Sequence, residues 1–273
     1  MPELPEVETM RSGLDDLLKD RPVIRRVRLT RKDIRFKIPK DFVAALEGHR
    51  FLGVRRRAKY LLFDTDDAIL LSHLGMTGSW RVAEPNDESI HDHCFIELAD
   101  GRTLVFRDPR RFGVLDLIRK AKHGKHKLLD HLGPEPLDEE VFNAQTLFEA
   151  SRKRKVAVKV FIMNQEVVVG VGNIYASEAL FRAKIPPRKA AGRLTKDECE
   201  RLVNSIREVL RDAIRAGGSS IQDYRQASGE SGSFQDSHRV YDRHDKPCVN
   251  CGTKIRSRVM GGRSTYWCPT CQK

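Results

Sequence analysis

Four thiols give the most specific chemical signal in the chain. Cys248 and Cys251 are separated by two residues, Cys268 and Cys271 likewise, and sixteen residues lie between the pairs. Two such knuckles bring four thiolates to one point and complete a tetrahedral Zn2+ shell. With no ligand position left open, the one zinc is structural. Cys94 and Cys199 fall in a strand-like run and an amphipathic repeat, where inert buried thiols are expected.

The amino terminus, MPELPEVE, is the second candidate, because it crowds Glu3, Glu6 and Glu8 into a chain otherwise rich in Lys and Arg. Helix punctuation accounts for part of it: Pro5 suits the first helical position, and Glu6 and Glu8 favour the positive end of the helix dipole. Pro2 and Glu3 are left over. The initiator Met is normally removed before Pro, which leaves Pro2 with a free secondary amine. An α-amino group has a pKa of about 8, against about 10.4 for Lys, so roughly a tenth of it is neutral at pH 7. Such an amine can attack a sugar anomeric carbon to give an iminium, and Glu3 can protonate the ring oxygen as the sugar opens.

Other residues sit where strands meet turns. SHLGMTGSW places His73 and Met76 there, and FRDPRRFGV places Arg110, Arg111 and Phe112. Core packing is the usual fate of Met and Phe, but an Arg-Arg-Phe turn after Asp-Pro is hard to bury and suits wedging into a base stack. Lys59 follows three arginines, where backbone-phosphate contact and a solvated basic face are both open. In VVVGVGNIYASEALF the third glycine of a dinucleotide fingerprint is replaced by Tyr175. There Asn173 reads as the cap of a helix from Ile174, whose amides either bind phosphate or serve structure alone. Arg263, in GGRSTYWC between the cysteine knuckles, belongs on a short hairpin whose tip can approach a phosphate.

The elements that must position these residues follow from periodicity. Leu4, Val7, Met10, Leu14, Leu17 and Leu18 recur at helical spacing and predict an amphipathic helix. Short runs then follow closely: RVRLTR, RFLGVRRR, KYLLFD, AILLSHL, CFIEL, TLVFRD and GVLDLI, with a hairpin turn at Ala99-Asp100-Gly101-Arg102. No helical pattern separates them, so an antiparallel sandwich or barrel is expected. Prolines interrupt the chain around His131–Pro136, where the domain boundary is placed. Beyond it the chain reads helical. Thr195-Lys196-Asp197-Glu198 has the capping-box form, Leu202 to Ile214 keep helical spacing, and Gly217-Gly218 supply a stop. The following GGSSIQDYRQASGESGSFQ reads as either a linker or a functional loop.

Composition bounds the function. The 273 residues carry 50 Lys and Arg against 38 Asp and Glu, a net charge of +12. Polyanions are the expected partners, and membrane surfaces and acidic proteins would also fit this charge. The acidic start argues against a secretory signal and no apolar run is long enough to span a bilayer, so a soluble intracellular protein with reduced cysteines is expected.

PELPEVET, RAKYL, HLGMTG, DPRRFG, LGPEPL, GVGNIYASEALF, the Gly-Gly loop and GRSTYWCPTCQK occur in this order from end to end. In these eight blocks the chain closely resembles the bacterial formamidopyrimidine-DNA glycosylase family, also called 8-oxoguanine DNA glycosylase. The resemblance implies an α+β protein of two domains: an N-terminal antiparallel β-sandwich with flanking helices, and a C-terminal helix-two-turns-helix domain with a zinc finger. Carried onto this chain, it implies a catalytic domain over 1–132, a linker over 133–144, a helical domain over 145–237 with a lesion-recognition loop at about 217–235, and a four-cysteine zinc finger over 238–273. DNA is expected in the cleft between the domains.

The implied activity is bifunctional. Pro2 displaces an oxidised purine with Glu3 as proton donor, and β- and δ-elimination leave a one-nucleotide gap. Lys59 and Arg263 belong to the implied catalytic set, with Lys59 and His73 near the lesion phosphates and Asn173 and Arg263 on the phosphates flanking the flipped nucleotide. Met76, Arg110 and Phe112 fill the vacated stack and face the opposite base, expected to be cytosine. Glu6 and Ser220 are implied in lesion-base recognition, and the Ser/Gly-rich loop becomes a lid. The implied partner is double-stranded DNA, with no membrane, for a monomeric, cytoplasmic, nucleoid-associated bacterial enzyme. Four positions depart from the family pattern: Ala58 for Gly, Asn164 for Asp, and Asp242 and Asp245 for glycines, which Asp can mimic in left-handed backbone. Two rivals remain. The sister endonuclease VIII family favours oxidised pyrimidines, and Leu4 argues against it. A non-catalytic zinc protein that binds DNA is the other.

Overall fold

The structure, a computed structural model, describes residues 2–84, 87–119, 125–219 and 232–273. The chain divides into two compact units, Met1–Asp130 with Gly217–Ser233, and His131–Ala216 with Phe234–Lys273. Among the described residues no helix is long and apolar enough to cross a membrane.

The first unit begins with α1 (Leu4–Leu17), which buries Leu4, Val7, Met10 and Leu14 along one face. Its first residue is Leu4, so Pro5 occupies the second helical position rather than the first; either position spares an amide that has no partner within the helix. Among the described residues eight strands follow: β1 (Ile24–Leu29), β2 (Phe51–Arg57), β3 (Tyr60–Thr65), β4 (Ala68–His73), β5 (Ser79–Val82), β6 (Asp92–Leu98), β7 (Thr103–Arg107) and β8 (Val114–Arg119). β5 has no counterpart among the expected runs, since only Trp80 of its four residues is buried. The strands form two antiparallel sheets, ordered β1-β6-β7-β5 and β2-β3-β4-β8. Val27, Trp80, Ile96 and Phe106 of one sheet share a core with Val54, Phe63, Leu70 and Leu117 of the other, and α1 seals it with Met10 and Leu14. This is the expected sandwich. Its middle is aromatic, with Phe63, Trp80 and Phe106 in successive contact at 5.1 and 5.2 Å, and the Trp80 indole N–H donates to Ser72 Oγ at 2.9 Å. The predicted turn joins β6 to β7, with Gly101 at φ +92°.

The second unit holds α2 (Ala144–Ser151), α3 (Val158–Ile162), α4 (Asn173–Arg182) and α5 (Lys196–Arg215), followed by the hairpin of β9 (Arg256–Met260) and β10 (Arg263–Trp267). The capping box of α5 is present: Thr195 Oγ1 accepts the Glu198 amide at 3.2 Å, and Glu198 Oε2 accepts the Thr195 amide at 3.0 Å. LGPEPL is tied into the second unit. The Gly133 amide donates to Gln165 O, Pro134 O accepts the Val169 amide, and buried Arg207 of α5 donates to the carbonyls of Pro136 and Phe142. At α4 the structure corrects the sequence reading. The cap is Gly172, in extended conformation and without a side-chain bond, and Asn173 is the first helical residue. Glycine there leaves the Asn173 amide oxygen free of capping duty and open to another partner.

Candidate active site

In the first unit Pro2 and Glu3 are buried at the head of α1. Glu3 is the N-cap residue, and its amide donates to Glu6 Oε2 at 2.8 Å. The other oxygen of Glu6 accepts the Ser219 amide at 2.7 Å. Gly218 stands at φ +81°, and a Cβ there would come within 2.9 Å of Glu6 Oε1, so the Gly-Gly pair lets this backbone close on the carboxylate. Ser219 also pairs antiparallel with Ser233. Ser220 lies outside the described residues, as does Met1.

α1 is registered against β2 by charge. Glu8 accepts Arg56 Nε and Arg11 Nε, each at 2.7 Å, and Asp15 Oδ1 accepts the Val54 amide at 2.9 Å. Arg56 also donates to Ala58 O in the two-residue turn between β2 and β3, the turn that presents Lys59. Ala58 has φ +54°. Mirror-image hairpin turns need this backbone and normally take Gly there, and an L-residue pays roughly 1 to 2 kcal/mol of strain for it.

His73 ends β4. Its Nδ1 accepts the Gly75 amide at 3.0 Å, so a neutral ring carries its proton on Nε2. Burial, with the cations of Lys59 and Arg35 adding to it, pushes the imidazole down to about 4. At neutral pH it is therefore a neutral donor, not a cation.

Met76, Arg110 and Phe112 stand on two connections that both pass between the sheets. Residues 74–78 run from β4 to β5 and residues 108–113 from β7 to β8, while β4 pairs with β8 through His73 and Val114 and β5 pairs with β7 through Ser79 and Arg107. The two connections therefore lie side by side. A Cβ at Gly75 would collide with the Phe112 carbonyl, and one at Gly113 would come within 2.9 Å of Asp108 Oδ2 and His73 O. Met76 and Phe112 are 36% and 41% exposed, unusual for their types, and the Arg110 guanidinium lies 5.0 Å from the centre of the Phe112 ring. Asp108, which no pattern in the sequence singles out, is fully buried between the connections. It accepts Thr77 Oγ1 and the Gly113 amide, each at 2.7 Å.

In the second unit, fully buried Lys159 of α3 organises the polar residues. Its Nζ donates to Asn173 Oδ1, to Thr265 Oγ1 at 2.8 Å and to Ser264 O at 3.2 Å. One ammonium thus joins the start of α4 to the residues that follow Arg263. The hairpin between β9 and β10 turns on Gly261 and Gly262, at φ +56° and +72°, as a type I′ turn requires. A Cβ at Gly261 would lie 2.9 Å from Val160 Cγ2, so the tip seats on α3, and Arg263 opens β10 with its side chain exposed. Lys159 was not among the expected site residues. In RKRKVAVKVF it has no feature that separates it from the neighbouring surface cations.

The four cysteine Sγ atoms lie within 4.8 Å of one another, with Cys248 and Cys271 at 3.9 Å and Cys251 and Cys268 at 3.5 Å. A tetrahedral thiolate shell with Zn–S of about 2.3 Å has sulfurs about 3.8 Å apart, so these residues fit one structural zinc. Glu178 of α4 docks the finger by accepting the amides of Arg239, Val240 and Tyr241 at 2.8 to 3.0 Å. Burial pushes its carboxyl up against the pull of those three donors. Asp242 and Asp245 have φ of +56° and +61°, the left-handed backbone that Asp tolerates better than most residues. Cys94 and Cys199 are buried, and burial raises both thiols, that of Cys199 to about 11.

Three family models match: the formamidopyrimidine-DNA glycosylase N-terminal domain over residues 1–115, the formamidopyrimidine-DNA glycosylase H2TH domain over 132–225, and the zinc finger found in FPG and IleRS over 245–273. Formamidopyrimidine-DNA glycosylases of Bdellovibrio bacteriovorus and Thioalkalivibrio sulfidiphilus are 52% and 50% identical, each alignment covering 100% of both chains. The solved MutM (FPG) protein of Thermus thermophilus is 42% identical with TM-score 0.88, covering 99% of this chain and 98% of that one. A mutant Lactococcus lactis FPG in complex with Fapy-dG-containing DNA is 35% identical with TM-score 0.91, covering 100% of each chain. With its sandwich, helical unit and finger matched in order and at full length, the chain belongs to the formamidopyrimidine-DNA glycosylase family.

Proposed function

We propose that this chain is a DNA glycosylase with abasic-site lyase activity that excises oxidised purines, with Pro2 as nucleophile and Glu3 as acid. The observation behind the assignment is that the Pro2-Glu3 pair stands at the buried head of a helix clamped to β2, in a chain of this family. Removal of the initiator Met frees the Pro2 amine. Its lone pair attacks C1′, the N-glycosidic bond breaks with its electron pair leaving on the damaged base, and Glu3 protonates the ring oxygen as the sugar opens to an iminium. Loss of a C2′ proton then expels the 3′ phosphate, and δ-elimination expels the 5′ phosphate. Water hydrolyses the iminium to release the sugar fragment and regenerate the amine. The products are a one-nucleotide gap with phosphate on both ends.

Lys59 and the neutral Nε2–H of His73 are suited to phosphates near the lesion, and Asn173 and Arg263 to those flanking the flipped nucleotide. Met76, Arg110 and Phe112 occupy the vacated stack opposite cytosine. Glu6, already engaged with Ser219, and Ser220 belong to the base pocket. Four thiolates, Cys248, Cys251, Cys268 and Cys271, hold the structural zinc, which fixes the finger and takes no part in bond breaking. The enzyme acts on double-stranded DNA as a monomer in the bacterial cytoplasm, at the nucleoid.

The test is incision of end-labelled duplexes carrying 8-oxoguanine or 5-hydroxycytosine. The expected result is a gap with two phosphate ends, formed faster at 8-oxoguanine paired with cytosine than paired with adenine. A preference for 5-hydroxycytosine would instead assign the chain the pyrimidine specificity of the sister family.

A further inference from the structure

Resting on the reading of Met76, Arg110 and Phe112 as the wedge, we infer that Asp108, acting through Thr77, is the positioning residue that sets discrimination of the base opposite the lesion.

The topology poses the problem that Asp108 solves. The wedge residues are split between two connections that enter from different sheets, residues 74–78 and 108–113, and their tips are exposed. Strand pairing fixes only the ends of these connections. Between those ends, the register of Met76 against Arg110 and Phe112 depends on what links the two backbones. Asp108 supplies that link with both carboxylate oxygens: Oδ1 accepts the Thr77 hydroxyl from the first connection, and Oδ2 accepts the Gly113 amide from the second. Thr77 Oγ1 in turn accepts the Arg110 amide at 3.2 Å, and Asp108 O accepts the Arg111 amide at 3.2 Å. Each wedge residue is thus one position from, or itself part of, a bond of this network: Met76 precedes Thr77, Arg110 donates to it, and Phe112 precedes Gly113.

The chemistry of Asp108 supports a positioning role. A fully buried carboxylate is costly unless its lone pairs are used, and here two donors from opposite loops use them. Gly75 and Gly113 permit the close approach that lets so short a side chain span both connections. A wedge inserted beside a base pair is pushed by the stack, and small shifts of a guanidinium relative to a base edge decide which base it recognises. A linkage of two charge-assisted bonds resists such shifts.

The experiment compares full-length, zinc-loaded wild type with Thr77→Val, Thr77→Ser and Asp108→Asn. Single-turnover excision of 8-oxoguanine is measured opposite cytosine and opposite adenine. Thr77→Val keeps the side-chain shape and removes the hydroxyl, and the cytosine-to-adenine rate ratio is expected to fall roughly five- to tenfold, the effect of one buried hydrogen bond. Thr77→Ser restores the hydroxyl and is expected to restore the ratio. Asp108→Asn retains one acceptor oxygen and is expected to lie between. A merely structural role would slow both substrates in proportion, so an unchanged ratio in Thr77→Val would overturn the inference while leaving the glycosylase reading intact. Failure of wild type to excise either substrate would overturn both.

Discussion

Single residues in this protein are tuned by their immediate surroundings, and His73 is the clearest case. Burial, with Lys59 and Arg35 beside it, holds its imidazole neutral down to about pH 4, against 6.5 for an ordinary histidine. Between those values the unfolded chain takes up a proton that the native state refuses, so native stability falls as pH drops through this window and levels off below it. His238, held down by burial to about the same value, adds in the same direction. Replacing His73 with Gln is expected to reduce the dependence of unfolding free energy on pH between 6.5 and 4 by up to one proton; urea unfolding across that range measures it, and an unchanged slope would contradict the assignment. Sequence alone singled out His73 as a residue at a strand end. It could not supply the charge state, which depends first on the burial of the ring and then on the cations of Lys59 and Arg35. The same limit hid Asp108: its Asp-Pro turn was visible, but its Thr77 partner is 31 positions away.

At the scale of elements, local signals were legible and long-range ones were not. The capping box at Thr195 and the turn at Ala99–Arg102 are satisfied by residues within a few positions, and both appear as expected. Asn173 has the side chain of a cap, but Gly172 takes the cap position in extended backbone without a side-chain bond. What Asn173 does instead depends on Lys159, 14 positions before it, and on hairpin residues 105 and 106 positions beyond that lysine. Lys159→Met is an apolar replacement of similar length that would strand three acceptors, on Asn173, Ser264 and Thr265. An unsatisfied buried acceptor costs about 1 to 3 kcal/mol. The variant is expected to melt at a lower temperature and to bind duplex DNA roughly tenfold more weakly, as a hairpin and helix start no longer fixed together would. Calorimetry and a fluorescence binding titration check both, and unaltered affinity would show that Asn173 and Arg263 need no common tether.

At the scale of the molecule, each unit has its own means of stability. The sandwich has a large core shared by two sheets and α1, whereas the finger rests on a cluster of Phe181, Val240, Cys248, Ile255 and Cys268. So few apolar residues cannot order the finger without metal. Stripping zinc with a strong chelator is expected to abolish duplex binding while leaving the unfolding transition of the sandwich in place; retained binding by a zinc-free sample would contradict this. The net charge of +12 further predicts that affinity falls steeply with salt, whatever the lesion. The proposed reaction turns on one bond, between the Pro2 amine and the sugar. The direct measurement is borohydride trapping on 8-oxoguanine duplex after intact mass confirms that Met1 is removed. A covalent protein–DNA adduct is expected with wild type and none with Pro2→Gly at equal duplex occupancy. Wild type that binds the duplex without forming an adduct, or an adduct that survives Pro2→Gly, would contradict it.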